Sequence, residues 1–100
     1  MTSFKFELYV AGDAPRSQRA TRVLTELCEE HLAGRYELAV IDVTTHPELA
    51  EDAQILATPT LLRLSPTPRV RIIGDLSLRE NVRVGLGLDG HVDADEREAP

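Results

Sequence analysis

Residues 4–10 read FKFELYV and residues 11–15 read AGDAP, and these two segments set how the chain begins to fold. Apolar side chains occupy every second position of the first segment, which predicts a strand with its apolar positions on one face. The glycine and aspartate of the second segment predict a turn. Pro15 suits the first turn of a helix, where its missing N–H is no loss. A strand followed by a tight turn and a helix is the start of a βαβ unit.

The predicted helix runs from Pro15 to about Leu32, with Gly34 as its stop. One stripe of side chains recurs at helical spacing: Ala20, Val23, Leu24, Leu27, Cys28 and His31. Residues 36–43 predict a second strand. Because residues 38–41 are apolar without alternation, we expect both faces of that strand to be covered, as in a parallel strand after a right-handed crossover helix.

The second half of the chain predicts shorter elements. They are a helix over residues 47–56, strands over residues 60–64 and 70–73, and a last helix that begins at a capping box at Ser77–Glu80 and ends near Leu86. The whole order is βαβ–α–ββ–α. This is the α/β arrangement of thioredoxins and glutaredoxins, so we expect a thioredoxin-like fold.

Composition limits both the number of domains and the kind of partner. At 100 residues one domain is expected, over residues 1–88. Residues 89–100 carry −4 of the net charge of −6 and contain no aromatic residue, so we expect an acidic disordered tail. The acidic balance disfavours nucleic acid. Without an apolar run of about 18 residues or a signal-peptide pattern, we expect no membrane span and a cytoplasmic protein.

Two landmarks of the thioredoxin arrangement can be located in the sequence. Residues 14–17, Ala-Pro-Arg-Ser, lie where a glutaredoxin has its Cys-Pro-X-Cys motif, and residues 58–60, Thr-Pro-Thr, lie where that fold has a proline loop. Disulfide exchange needs a thiolate that attacks sulfur. Ala14 and Ser17 replace both thiols, so the sequence keeps the scaffold without its redox chemistry.

The remaining ionisable side chains indicate no metal or cofactor. Cys28 is the only cysteine, which excludes an internal disulfide, a dithiol motif and a cysteine-based zinc site within the chain. We expect its thiol to be buried. His31, His46 and His91 lack metal-ligand spacing and indicate surface histidines. Ser17 has no histidine that can be placed beside it as a base, so a hydrolytic serine is disfavoured.

Four collinear segments resemble the KaiB family. They are residues 8–12 with Pro15, residues 40–43 with residues 47–51, residues 55–61, and residues 71–77 with Arg79 and Glu80. The resemblance covers Phe6 to about Leu88. It implies a non-enzymatic circadian-clock or timer adaptor that binds the N-terminal ATPase ring of a KaiC-type protein and modulates its phosphorylation cycle. In a full clock that complex also captures KaiA and displaces SasA.

The resemblance also implies which residues contact the KaiC-type ATPase. They are Arg19 on the first helix, Glu48, Glu51 and Gln54 in the second helical segment, and Arg63 and Arg71 on the last two strands. A solvated charged face is the alternative interpretation of these side chains. Gln54 departs from the family, because the cyanobacterial members have a lysine there. The sequence therefore leaves open the alternative that the chain is a divergent member that acts in a simpler KaiB–KaiC timer without KaiA.

A metamorphic fold is a further implication of the resemblance. Its thioredoxin-like state is a binding-competent monomer, and its ground state is a homotetramer or dimer in which everything after about Asp42 re-pairs as βαββααβ. Two such packings must differ by only a few kcal/mol. The switch residues implied are Thr58, Pro59, Gly85 and Gly87, the last standing where an aspartate is usual. X–Pro bonds isomerise in about tens to hundreds of seconds, so Thr58–Pro59 is a candidate slow step or else an ordinary turn.

Three functions are thus compared: a KaiC-binding adaptor, a thioredoxin-class redox enzyme, and a thioredoxin-like interaction module for another signalling partner. The redox enzyme can be tested directly. Because the chain has one thiol and Ala14 and Ser17 in place of the pair, we expect no reduction of insulin disulfides above a protein-free control. A turbidity assay with dithiothreitol as the electron source measures this, with a thioredoxin as positive control. Turnover by this protein would return the redox enzyme to first place.

Overall fold

The computed structural model describes residues 4–73, 76 and 79–86, without the side chains of residues 84–86. Its elements are β1 (Phe4–Val10), α1 (Pro15–Leu32), β2 (Tyr36–Asp42), α2 (Pro47–Asp52), β3 (Thr60–Ser65), β4 (Val70–Ile73) and α3 (Arg79–Leu86). The predicted order βαβ–α–ββ–α is confirmed. Gly87, the capping-box residues Ser77 and Leu78, and the tail at residues 89–100 lie outside the described residues.

The sheet has the strand order β2-β1-β3-β4. β1 pairs with β2 in parallel and with β3 in antiparallel, and β4 pairs with β3 in antiparallel. Leu8 lies opposite Val40 on one side and Leu61 on the other, so these three side chains share one face. Tyr9 and Thr60 form the next pair and therefore belong to the opposite face. β1 is the strand that joins the two halves of the chain.

The core lies between the sheet and the two longer helices. Phe6, Leu8 and Val10 of β1 are buried against the apolar stripe of α1, and Leu61 on β3 and Val82 on α3 join the same cluster. The alternation of β1 and the helical spacing of α1 predict this face correctly. Within the described residues, no helix is long and apolar enough to cross a membrane.

Cys28 is fully buried in this core, as expected from its position in the helical stripe. Burial raises the pKa of its thiol to about 12, with the Glu29 carboxylate as a smaller cause in the same direction. The thiol is therefore protonated at neutral pH, and a protonated thiol is a poor nucleophile.

The predicted coverage of β2 is wrong. β2 is an edge strand without a buried residue, and Val40 keeps 47% of its surface exposed, so its faces are not both covered. The apolar run is compatible with a buried strand. Whether the strand is covered depends on its place in the sheet, and that place is set by the distant segments with which each strand pairs. The stripe of α1 also differs from the predicted one. His31 is exposed, in agreement with its interpretation as a surface histidine, and the buried stripe contains Ser17 and ends at Leu32. Leu32 lies one full turn beyond Cys28 and occupies the inward position.

Asp42 ties together the two loops at the carboxyl ends of β1 and β2. Its Oδ1 accepts hydrogen bonds from the Gly12 N–H at 2.9 Å, the Thr44 N–H at 2.9 Å and the Thr44 hydroxyl at 2.7 Å. Gly12 has a φ of +53°, a left-handed conformation that favours glycine. The Thr44 hydroxyl, followed by the two N–H groups, lowers the pKa of the Asp42 carboxyl.

Replacing Asp42 with asparagine tests this junction. The lowered pKa means that the carboxylate stabilises the fold above its unfolded pKa of about 3.9, and that this contribution is lost as pH falls through the lower folded value. We expect Asp42→Asn to reduce the free energy of unfolding at pH 7, with the deficit shrinking below about pH 4. Urea unfolding followed by circular dichroism at several pH values measures both quantities.

Asp13→Asn is the matched control, since Asp13 is an exposed carboxylate in the same turn. It should change the free energy of unfolding by less than about 0.5 kcal/mol. A deficit for Asp42→Asn that stays constant from pH 7 to pH 3 would show that the charge of Asp42 contributes nothing to the junction.

Candidate partner-binding site

The turn that corresponds to a thioredoxin active-site loop has a structural role here. Ser17 is buried near the start of α1, and its Oγ accepts a hydrogen bond from the Ala11 N–H at 3.1 Å. Its carbonyl accepts a second hydrogen bond, from the Thr21 hydroxyl at 2.9 Å. The hydroxyl of Ser17 therefore closes the turn between β1 and α1. Among the described residues, no group of three or more side chains is placed to hold a metal ion.

The proline loop lies at the start of β3, beside the carboxyl end of β1. The Thr58–Pro59 peptide bond is cis, and both Pro59 and Thr60 are buried. The Thr60 hydroxyl donates to the Ala57 carbonyl at 2.7 Å, and Thr60 is paired with Tyr9. The loop thus occupies the position that the thioredoxin arrangement predicts.

An open groove of about 1040 Å³ lies between α2, the segment that follows it, and β4. It is lined by Val43, Pro47, Ala50, Glu51, Gln54, Ile55, Leu56, Ala57, Thr58, Arg71 and Ile73. Two of its apolar side chains face solvent, with Leu56 at 94% and Ile73 at 57% exposed. A continuous exposed apolar surface with charged residues beside it is typical of a protein-binding site.

The end of α2 shapes one wall of this groove. Gln54 has a φ of +56°, and its N–H donates to the Glu51 carbonyl at 3.0 Å. The Ile55 N–H reaches back to the Ala50 carbonyl at 2.9 Å. These are the two hydrogen bonds of a Schellman motif, with Gln54 at the left-handed position. The motif ends α2 at Asp52, so the prediction that this helix continues to Leu56 is wrong.

Arg71 joins the end of α2 to the sheet. On β4 it lies opposite Leu62, on the face of the sheet that carries Tyr9. Its Nη2 donates to the Ala53 carbonyl at 2.9 Å and its Nη1 to the Gln54 carbonyl at 3.3 Å. A cation at the carboxyl end of a helix is favoured by the helix dipole.

Tyr9 lies beneath this arrangement and is buried on the face opposite the core. Its hydroxyl donates to Glu7 Oε1 at 2.9 Å. Burial, followed by this hydrogen bond and the charge of Glu7, raises the pKa of Tyr9 to about 12, whereas the positive charge of Arg71 acts in the opposite direction. The Tyr9 hydroxyl is therefore neutral at pH 7 and is held by Glu7, close enough to Arg71 for the charge of that residue to act on it.

The structure brings together only part of the residue set that the resemblance implies. Glu51, Gln54, Thr58 and Arg71 line the groove, and Glu48 is exposed on the first turn of α2 with Oε2 3.7 Å from His46 Nδ1. Gly85 lies in α3. The roles of these residues in binding or in a fold switch stay predictions.

Arg19 and Arg63 are not among the described residues that line the groove. Arg19 is exposed on α1. Arg63 is paired with Phe6, on the core side of the sheet, and its Nη2 donates to the Pro68 carbonyl at 3.0 Å. Burial lowers the pKa of Arg63. If both arginines contact a partner, they do so outside the groove.

Leu56 and Ile73 are the groove residues that the sequence did not single out. Both are large apolar residues in segments predicted as helix or strand, where burial is the default expectation. The available signal is the position of Leu56 two residues before Thr58 of the proline loop, on the short connection between α2 and β3. Leu49 on the neighbouring α2 is also exposed.

The fold and the thiol-free turn together define a thioredoxin-like domain that lacks the catalytic cysteine pair. Residues 7–88 match the model of the KaiB domain family. The chain therefore belongs to the KaiB family.

Similar proteins include the circadian clock oscillator protein KaiB of Trichodesmium erythraeum, which is 51% identical over 86 residues, or 86% of this chain and 83% of the relative. The protein of the same name from Prochlorococcus marinus (strain MIT 9312) is 52% identical over 86% of this chain and 82% of its own length. That of Thermosynechococcus vestitus is 51% identical over 86% of this chain and 80% of its own length. Relatives at this level of identity thus carry the name of a clock protein.

Solved structures show the same fold at low sequence identity. The N-terminal domain of SasA from Synechococcus elongatus superposes with a TM-score of 0.73 at 22% identity, over 91% of this chain and 88% of that domain. Mitochondrial thioredoxin 3 from Saccharomyces cerevisiae gives a TM-score of 0.69 at 17% identity, over 86% of this chain and 78% of that protein. The described state of this chain is therefore thioredoxin-like.

Proposed function

We propose that this chain is a non-enzymatic circadian-clock or timer adaptor that binds the N-terminal ATPase ring of a KaiC-type protein and modulates its phosphorylation cycle. The observation that carries the proposal is the groove, where Leu56 and Ile73 are exposed beside Glu51 and Arg71. Membership of the KaiB family supports the identity of the partner. Apolar groups supply affinity when an interface covers them, and the exposed carboxylate of Glu51 beside them supplies specificity.

A lack of enzymatic activity is part of this proposal. Ala14 and the buried Ser17 stand at the positions of the thioredoxin thiols, and the Cys28 thiol lies in the core. KaiA, where the organism has it, is a further partner of the assembled complex. A thioredoxin-like module for another signalling protein is the alternative outcome of the binding test.

Leu56→Ser tests the groove as the binding surface. Because Leu56 is 94% exposed, the change should leave the free energy of unfolding within about 0.5 kcal/mol of the parent. We expect it to weaken binding to the cognate KaiC-type ATPase about tenfold or more, as for an apolar residue near the centre of an interface. Interferometry with the immobilised N-terminal ATPase ring, with and without ATP, measures the affinity.

Val40→Ser is the matched control, since Val40 is a half-exposed apolar residue that lies on β2, away from the groove. Its affinity should stay within about threefold of the parent. Failure of the parent protein to bind the ATPase under any condition would refute the proposed partner and leave the alternative module. Binding by the parent that Leu56→Ser does not weaken would place the interface elsewhere, with Arg19→Ala as the next variant.

We further propose that the family's second fold, βαββααβ in a homotetramer or dimer, is in equilibrium with the described fold. Arg79 on α3 pairs with Glu26 at 3.5 Å and with Glu30 at 2.7 Å on α1. These contacts join the two halves of the chain and belong to the thioredoxin-like packing. Assembly favours whichever fold builds the interface, in proportion to concentration.

Arg79→Ala should therefore shift the equilibrium toward the second fold. Exposed ion pairs contribute about 0–1 kcal/mol, which corresponds to a population change of up to about fivefold. NMR on a dilution series measures the two populations as separate peak sets for residues after Asp42, with the thioredoxin-like set favoured by dilution. Arg16→Ala, an exposed arginine of α1, is the control and should leave the ratio unchanged. A single peak set at all concentrations in both proteins would show that this member does not switch.

A further inference from the structure

We propose that Arg71 is a positioning residue, which fixes the end of α2 and thereby the shape of the groove. Its positive charge does not act directly on the partner. Its consequence for binding rests on the function proposed above, whereas its consequence for α2 concerns the fold alone. The family resemblance assigns Arg71 to the contact surface as a basic position. The hydrogen bonds of its guanidinium indicate a different role.

Each terminal nitrogen of Arg71 donates one hydrogen bond within the chain. Nη2 donates to the carbonyl of Ala53 and Nη1 to the carbonyl of Gln54, at 2.9 and 3.3 Å. Ala53 is the C-cap of α2 and Gln54 is the next residue. The last carbonyls of a helix have no partner within the helix, so an external donor is needed there. A planar guanidinium can serve two neighbouring carbonyls at once, which an ammonium cannot do in the same way.

α2 depends on its ends to an unusual degree. It has six residues, none of them buried. A helix of this length is marginal on its own, and most helices are held by an apolar face. Because α2 has no such face, the hydrogen bonds at its C-terminus have more influence on its position than they would on a packed helix. Arg71 supplies two of them from the neighbouring edge strand.

Gln54 makes this anchoring necessary. It occupies the left-handed position of the Schellman motif, with a φ of +56°, where glycine is favoured and a residue with a side chain is strained. Arg71 therefore stabilises a turn that residue 54 itself disfavours. A glycine at this position would form the same turn without strain and should reduce the need for Arg71.

The shape of the groove depends on the same Arg71 hydrogen bonds. Gln54, Ile55 and Leu56 follow directly after the anchored carbonyls, and all three line the groove. If the end of α2 loosens, only a fraction of molecules presents the binding-competent wall, and the apparent affinity falls by that fraction. Loss of Arg71 should therefore act on binding through α2.

The experiment combines Arg71→Ala, Arg71→Lys, Gln54→Gly and the double variant Arg71→Ala/Gln54→Gly. The first readout is the NMR exchange rate of the Ile55 amide, whose hydrogen bond to the Ala50 carbonyl reports the Schellman motif. The Leu27 amide in α1 serves as the reference. The second readout is affinity for the immobilised N-terminal ATPase ring. A double-mutant cycle isolates the coupling between positions 54 and 71.

We expect Arg71→Ala and Arg71→Lys to accelerate Ile55 exchange about fivefold or more while Leu27 exchange stays unchanged. Both changes should also weaken binding. In the Gln54→Gly background the effect of Arg71→Ala on exchange and on affinity should be smaller, because the turn no longer needs the anchor.

Normal Ile55 exchange in Arg71→Ala together with weakened binding would overturn the proposal, since Arg71 would then contact the partner directly. Full affinity in Arg71→Lys despite faster Ile55 exchange would overturn it too, because charge alone would suffice. If the parent protein does not bind the ATPase, the proposed function fails, whereas the exchange rates still decide whether Arg71 and Gln54 are coupled through α2.

Discussion

The packing of β1 against α1 is the constraint on which the rest of this molecule depends. β1 is paired on both sides, with β2 and with β3, and its residues Phe6, Leu8 and Val10 bury one face against the helix. Its other face carries the buried Tyr9, which is paired with Thr60 of β3. Alternation in the strand, spacing in the helix and the turn between them agree on one arrangement, which is how a local sequence comes to specify a structure.

The second half of the chain is held by fewer apolar contacts. Within the described residues, Leu61, Leu76 and Val82 are its hydrophobic members of the core. α2 contributes none, and its position rests on the Arg71 hydrogen bonds at its end. Segments with few buried apolar contacts are those that open locally at the lowest free energy. The fold switch proposed above requires two packings that differ by only a few kcal/mol, and a second half with few apolar contacts favours it.

Local patterns predict most of the fold, and the exceptions have physical reasons. The bounds of β1 and β4 follow directly from alternation and short apolar runs. β2 was expected to be covered on both faces, but strand order depends on which distant segments pair, and this is absent from a local window. The end of α2 was missed because Gln54 adopts a conformation for which glycine is the usual signal.

The sequence likewise predicts some residues of the candidate site and not others. The family resemblance predicts Glu51, Gln54 and Arg71 as site residues, and all three line one groove. Sequence alone could not separate Arg63 from Arg71, although both are basic residues on neighbouring strands. The antiparallel register pairs Arg63 with Val70 and Leu62 with Arg71, which sends the two arginines to opposite faces. Leu56 escaped notice because exposure is a property of the finished fold.

The carboxyl end of β1 is where a thioredoxin performs its chemistry, and the same end of the sheet carries the groove here. A redox site needs a thiolate held in reach of a disulfide. Ala14 and the hydrogen-bonded Ser17 stand at those positions, so the two thiols of a thioredoxin are replaced there. This end of the sheet instead presents the solvent-exposed side chain of Leu56, beside the carboxylates of α2. An apolar side chain this exposed gains free energy only when something covers it, so the scaffold is suited to complementarity with another surface.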